Sequence, residues 1–104
     1  MIRGTTPLLS FTVPFDPAET KRICITFSQN NREVFTLEKR DCTIEGNTIS
    51  TTLSQDHTLS LKANATVQIQ IRVTFPSENS EMDSALASEI ITTTVQRILK
   101  DGEI

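Results

Sequence analysis

The chain has 104 residues, a formal net charge of −3 and 37% hydrophobic residues, a length that fits one domain spanning residues 1–104. Trp and Tyr are absent, the five aromatic residues are all Phe, and Gly and Pro number only three and four, which excludes collagen-like and low-complexity chains. The acidic balance argues against a nucleic-acid surface, because such surfaces cluster cations to displace phosphate counterions.

In chain order, residues 1–7 lack the apolar stretch of a secretory signal. No apolar run approaches the ~18 residues of a membrane span. The chain is therefore expected to stay where it is made, with neither membrane nor nucleic acid as partner. Leu9, Phe11 and Val13 then alternate with Ser10 and Thr12 between Pro7 and Pro14. A strand bracketed by prolines suits a sheet edge, since proline cannot donate to a ladder. In residues 22–28 Ile23, Ile25 and Phe27 share one face, and Gln29, Asn30, Asn31 and Arg32 follow as a turn whose Asn residues tolerate positive φ. Residues 34–37 return as the partner strand.

A second hairpin is read in residues 41–53, turning at Glu45, Gly46 and Asn47, with Ile49, Thr51 and Leu53 on one face. Residues 54–58 are polar and turn-prone, Leu59 and Leu61 make a short apolar alternation, and residues 62–65 turn the chain again. Residues 66–75 carry the clearest signal: Val67, Ile69, Ile71, Val73 and Phe75 on one side, Thr66, Gln68, Gln70, Arg72 and Thr74 on the other. A period of two over ten residues is that of a half-buried strand. Residues 85–99 fit two patterns. Leu86, Ala87, Ile90, Ile91, Val95, Ile98 and Leu99 have helical spacing, with Ser84 as its cap. Residues 90–95 are six consecutive β-branched residues, which lose side-chain freedom in a helix. The strand is favoured. The result is an all-β fold, an immunoglobulin-like β-sandwich of about seven antiparallel strands; the alternative is a β-sheet with a C-terminal helix over residues 85–99.

Chemistry-bearing residues are sparse. His57, the only histidine, sits beside Asp56 in a polar turn and reads as a solvated loop residue. A Cys–His nucleophile needs Cys24 or Cys42 near it, and nothing in the spacing brings them together. The two cysteines are expected as reduced thiols rather than a disulfide. One His and two separated Cys do not make a zinc site. Glu78, Glu81 and Asp83 lack the pattern of a calcium loop, and the sequon at Asn64 reads as a polar loop. Lys21-Arg22 and Lys39-Arg40 read as solvated strand ends that discourage edge pairing. No catalytic, cofactor-binding or metal-binding residue is assigned, and no cofactor is expected. A sugar-binding platform would rest on Phe35, out of phase with Val34.

Four stretches resemble small, mostly uncharacterised β-rich proteins encoded by phages and prophages of Gram-positive bacteria. They are residues 1–7 with Phe11, Pro14, Phe15 and Asp16; residues 53–59; residues 67–73; and residues 85–91. The resemblance covers nearly the whole chain and implies a one-domain structural or tail-associated phage module, with a strand at the tail. It brings no reaction or cofactor. The expected function is a non-enzymatic phage or prophage assembly protein, tail- or baseplate-associated. It would contact other phage structural proteins, or its own copies, along the edges at residues 9–13 and 90–99. A host-surface glycan-binding module is the alternative. The expected location is the cytoplasm of the producing bacterium, with incorporation in the virion left open.

Overall fold

The alternating segments become eight strands in a computed structural model that describes residues 1–77 and 82–104. They are β1 (Leu8–Thr12), β2 (Arg22–Gln29), β3 (Arg32–Glu38), β4 (Thr43–Glu45), β5 (Thr48–Thr52), β6 (Ala65–Phe75), β7 (Ser84–Ala87) and β8 (Ile91–Val95). A five-residue helix, α1 (Gln55–Leu59), and 3-10 turns at Pro17–Glu19 and Lys39–Asp41 complete the described chain. The strands form two antiparallel sheets. One has the order β1-β5-β4; the other has β3-β2-β6, with β7 and β8 sharing the far side of β6. This is the expected all-β sandwich, with eight strands instead of about seven. It shares the two-layer plan of immunoglobulin-like domains, but its second strand lies with the third and sixth. In constant-type immunoglobulin domains that strand sits with the first and fifth.

The core follows from the period-two pattern. Ile23, Ile25 and Phe27 of β2 pair in register with Val73, Ile71 and Ile69 of β6, and all six are buried. From the other sheet Ile49 is fully buried, as is Leu53 just beyond it. Side chains of this size each contribute about 1.5–3 kcal/mol when removed from water. Asn30 and Asn31 take φ of 52° and 61°, the left-handed pair that a two-residue hairpin needs to match strand twist. Gln29, read from sequence as part of this turn, is instead the buried last residue of β2.

β3 contains a bulge. Phe27 pairs with Phe35 but Ser28 pairs with Glu33, leaving Val34 as the extra residue. Phe35 and buried Leu37, two positions apart, share a face by ordinary alternation, and the inserted residue changes the phase only beyond Val34. Residues 54–58 are not an irregular turn. Ser54 caps α1: its Oγ accepts from His57 N–H at 3.1 Å, and its own N–H donates to His57 Nδ1 at 3.2 Å. A histidine thus fills the place that Glu or Gln takes in a capping box.

The tail is strand, and the helix over residues 85–99 is not formed. β7 and β8 run along one side of β6, which supplies the ladder partners that a helix would forgo. Arg72 pairs with Ala87 and Ile69 with Ile91, so Ser88, Glu89 and Ile90 stand opposite only Gln70 and Ile71. Ser88 holds this bulge closed. Its N–H donates to Ile71 O at 2.8 Å, and its Oγ accepts from Ile71 N–H at 3.0 Å. The N-terminus joins the same sheet: Ile2 bridges Gln96 in parallel, and Met1 N donates to Thr94 O at 3.0 Å. Arg3 then ties three segments together, donating to Leu59 O at 2.8 Å, Leu61 O at 2.7 Å and Asp101 at 2.9 Å. The Asp101 carboxyl is held below the usual carboxylate range by its hydrogen bond from Arg3.

Candidate functional site

The residues with reactive side chains go to different places. The His57 ring stacks on Phe35 with centroids 4.9 Å apart, in addition to its capping bond. Cys24 Sγ lies 3.9 Å from a Glu38 carboxylate oxygen, whereas Cys42 Sγ donates to the Glu38 carbonyl at 3.4 Å. Both thiols are free. Burial pushes the Cys42 thiol above its ordinary value, the Asp41 carboxylate adds to the rise, and a hydrogen bond with Thr51 partly opposes it. Burial favours the neutral thiol, so this group's stabilising contribution is complete below the ordinary thiol pKa and is lost as pH rises through the raised one. In a Cys24→Ser variant, modification of Cys42 by a disulfide reagent should accelerate only above the ordinary thiol range. A half-maximal rate at or below the value for free cysteine would contradict this assignment.

Phe35 also stacks on Phe27, with centroids 4.4 Å apart. Its ring is therefore engaged within the chain from two neighbours. Of the acidic loop, Glu78 and Glu81 lie outside the described residues. Asp83 pairs with Lys21 at 2.8 Å, and that hydrogen bond holds its carboxyl below the usual range. Among the described residues no group of three His, Cys, Asp or Glu is placed to hold a metal ion. No helix among them is long and apolar enough to cross a membrane.

The two basic pairs, far apart in sequence, converge on one shallow depression lined by Lys21, Arg22, Glu38, Lys39 and Arg40. Three of its cations are already engaged within the chain. Lys21 holds Asp83, Arg22 holds Glu38 at 3.2 Å, and Lys39 Nζ donates to Thr20 O at 2.6 Å. Two of the four cations are thus neutralised by carboxylates, while Lys39 bonds a neutral carbonyl.

The feature with unspent binding capacity is the seam between the two sheets. β1, the edge of the smaller sheet, faces the β7–β8 edge of the larger one across a groove of about 460 Å³. Phe11, Val13 and Phe15 form one wall, Ile71 and Val73 the floor, and Leu86 and Ile91 the other wall. Phe15 is fixed there by an edge-on contact with Phe75, centroids 5.3 Å apart. Leu86 and Ile91 both reach the groove although their positions have opposite parity, because the Ser88 bulge reverses the alternation between β7 and β8.

Leu86, Ile90 and Ile91 are about half exposed, at 52%, 56% and 44%. Along residues 84–93 no strand among the described residues pairs with the outer edge. The edges at residues 9–13 and 90–99 proposed from sequence thus converge on one seam, although residues 94–96 are already covered by the N-terminus. The bulge is what sequence reading missed. Its signal was Leu86 and Ile91 falling out of phase within a segment too β-branched for a helix. No family model matches the chain, and no curated protein or solved structure matches it either.

Proposed function

We propose that the chain is a non-catalytic assembly module of a phage or prophage particle, tail- or baseplate-associated, that works through protein–protein contact along a sheet edge. The resemblance of residues 1–7, 53–59, 67–73 and 85–91 to small phage-encoded β proteins supplies the biological setting. The observation that carries the contact is the edge at residues 84–93. Folded proteins blunt free edges with charges, prolines, very short strands, bulges or a covering segment. This edge is interrupted by the bulge at Ser88–Ile90, but it has one charge, Glu89, no proline, and three half-exposed aliphatic side chains. An edge left in this state is a template for another strand.

The test is made in the bacterium that encodes the chain, on particles produced with the wild-type protein or with Ile91→Lys. The lysine places a charge on the edge while leaving the fully buried residues untouched. Particle yield should fall sharply with the variant, and mass spectrometry should find the wild-type chain in particles or in their assembly intermediates. Unchanged yield, with the chain absent from both, overturns the reading.

A further inference from the structure

We propose that the polar outer face of the larger sheet carries a phosphate-binding site, formed by the guanidinium groups of Arg22 and Arg72 and the hydroxyl of Thr74. It uses none of Leu86, Ile90 and Ile91 and stands independently of the edge-contact reading. The register of β2 against β6 creates the arrangement. Arg22 pairs with Thr74 and Cys24 with Arg72, so the four residues mark the corners of a square, with the two arginines on one diagonal. Diagonal neighbours on antiparallel strands stand about 7–8 Å apart, within reach of long side chains. On β7, Ala85 pairs with Thr74 and Ala87 with Arg72, and these short side chains leave the square open. The result is a cavity of about 110 Å³ lined by Arg22, Cys24, Arg72, Val73, Thr74 and Ala85.

The donors around this cavity are unspent. Thr74 Oγ1 is buried and, among the described residues, is the one buried side-chain polar atom without a hydrogen-bond partner. Leaving such an atom unsatisfied is costly, and a bound ion or ligand relieves the cost. Among the described residues no carboxylate or carbonyl engages the Arg72 guanidinium. Arg22 is engaged through one nitrogen, Nη2, which lies 3.2 Å from Glu38 Oε1 and 3.6 Å from Cys24 Sγ. Its Nη1 and Nε remain for a ligand. The pair with Glu38 is exposed on both sides and therefore weak.

The surrounding charge favours an anion. Arg22 also lines the neighbouring depression with Lys21, Lys39 and Arg40, so the two linings together hold five cations and one carboxylate, Glu38. The chain as a whole carries a net charge of −3, and this end of the sheet is where its positive potential is concentrated. The arrangement selects among anions. A carboxylate spends its two oxygens on a single guanidinium, whereas a phosphate group has oxygens enough to accept from both arginines and the threonine hydroxyl at once.

Titration of the isotope-labelled full chain with sodium phosphate at fixed ionic strength, followed by NMR, tests this. Circular dichroism confirms the fold of each variant. Amide signals around Arg22 and Arg72 should shift saturably, with half-saturation on the order of millimolar. Acetate should bind at least about tenfold more weakly, and Arg72→Gln should weaken phosphate binding by a similar factor. Thr74→Val should weaken it several-fold while leaving the chain as stable as the wild type, since the hydroxyl gives up no bond within the chain. Inorganic phosphate binding more tightly than phosphoserine makes the ligand a free ion, and the reverse makes it a phosphate monoester; either supports the site. Shifts that fail to saturate, or that acetate and chloride produce equally, mean an adventitious ion only and overturn the proposal. Saturable binding that Arg72→Gln or Thr74→Val leaves unchanged overturns it as well.

Discussion

Phe27→Ala should lower the free energy of unfolding by about 3–5 kcal/mol, the range for truncating a buried aromatic ring. The ring is fully buried on the central strand pair, between Phe35 on β3 and Ile69 on β6. Its loss removes the transfer free energy of the ring and leaves a cavity that two hydrogen-bonded neighbours cannot close by moving inward. The stacking on Phe35 at 4.4 Å is lost as well, which adds about 0.5–1.5 kcal/mol beyond the area term. Urea denaturation followed by circular dichroism reads the effect as a lower midpoint at unchanged slope. A loss below about 1 kcal/mol would mean that the site is not the close-packed centre described here.

Gln29→Leu should cost about 2–4 kcal/mol even though it makes the side chain more hydrophobic. Gln29 is 5% exposed and forms a two-way bond with one residue. Its Nε2 donates to Lys62 O at 3.0 Å and its Oε1 accepts from Lys62 N–H at 2.7 Å. The side-chain amide therefore replaces a missing strand partner where the chain leaves α1 and turns at Asn64 to begin β6. Leucine fills the space but leaves a part-buried backbone donor and acceptor without their partner, and the cost of those two lost bonds decides the sign. The same denaturation experiment reads it. A variant as stable as the wild type would show that water reaches Lys62 and replaces both bonds.

The strands were legible because burying one face imposes a period of two that residues 22–28 and 66–75 display openly. The hairpin at Asn30 and Asn31 was legible because few residues other than Gly tolerate its left-handed pair. What escaped was whatever breaks the period. Val34 and Ser88–Ile90 each add a residue on one side of a ladder, and nothing in a single strand announces where its partner is one residue shorter. Phe35 was consequently ambiguous between core and contact residue. The capping role of His57 was hidden because histidine is an unusual choice for the third helical position. Arg3 and Gln29 gave no signal, since their partners are backbone groups 56 to 58 and 33 residues away. The candidate site was half legible: both edges were named from their terminal positions, but their meeting across one apolar seam depends on the strand order.

The Ser88 bulge also governs how this chain can change over evolutionary time. The bulge absorbs one residue, so Leu86 and Ile91, an odd number of positions apart, both lie opposite core residues of β6. Losing one codon from 88–90 would straighten the ladder and leave Ile91 opposite Ile69 and Val95 opposite Ala65, so the same side chains would still face the core. Loss of that one residue is therefore mild for the core, and what it removes is the interruption of the ladder. Descendants can keep the fold with either spacing, so kinship would be read from the partners across β6, Leu86 with Val73 and Ile91 with Ile69, rather than from the interval between them.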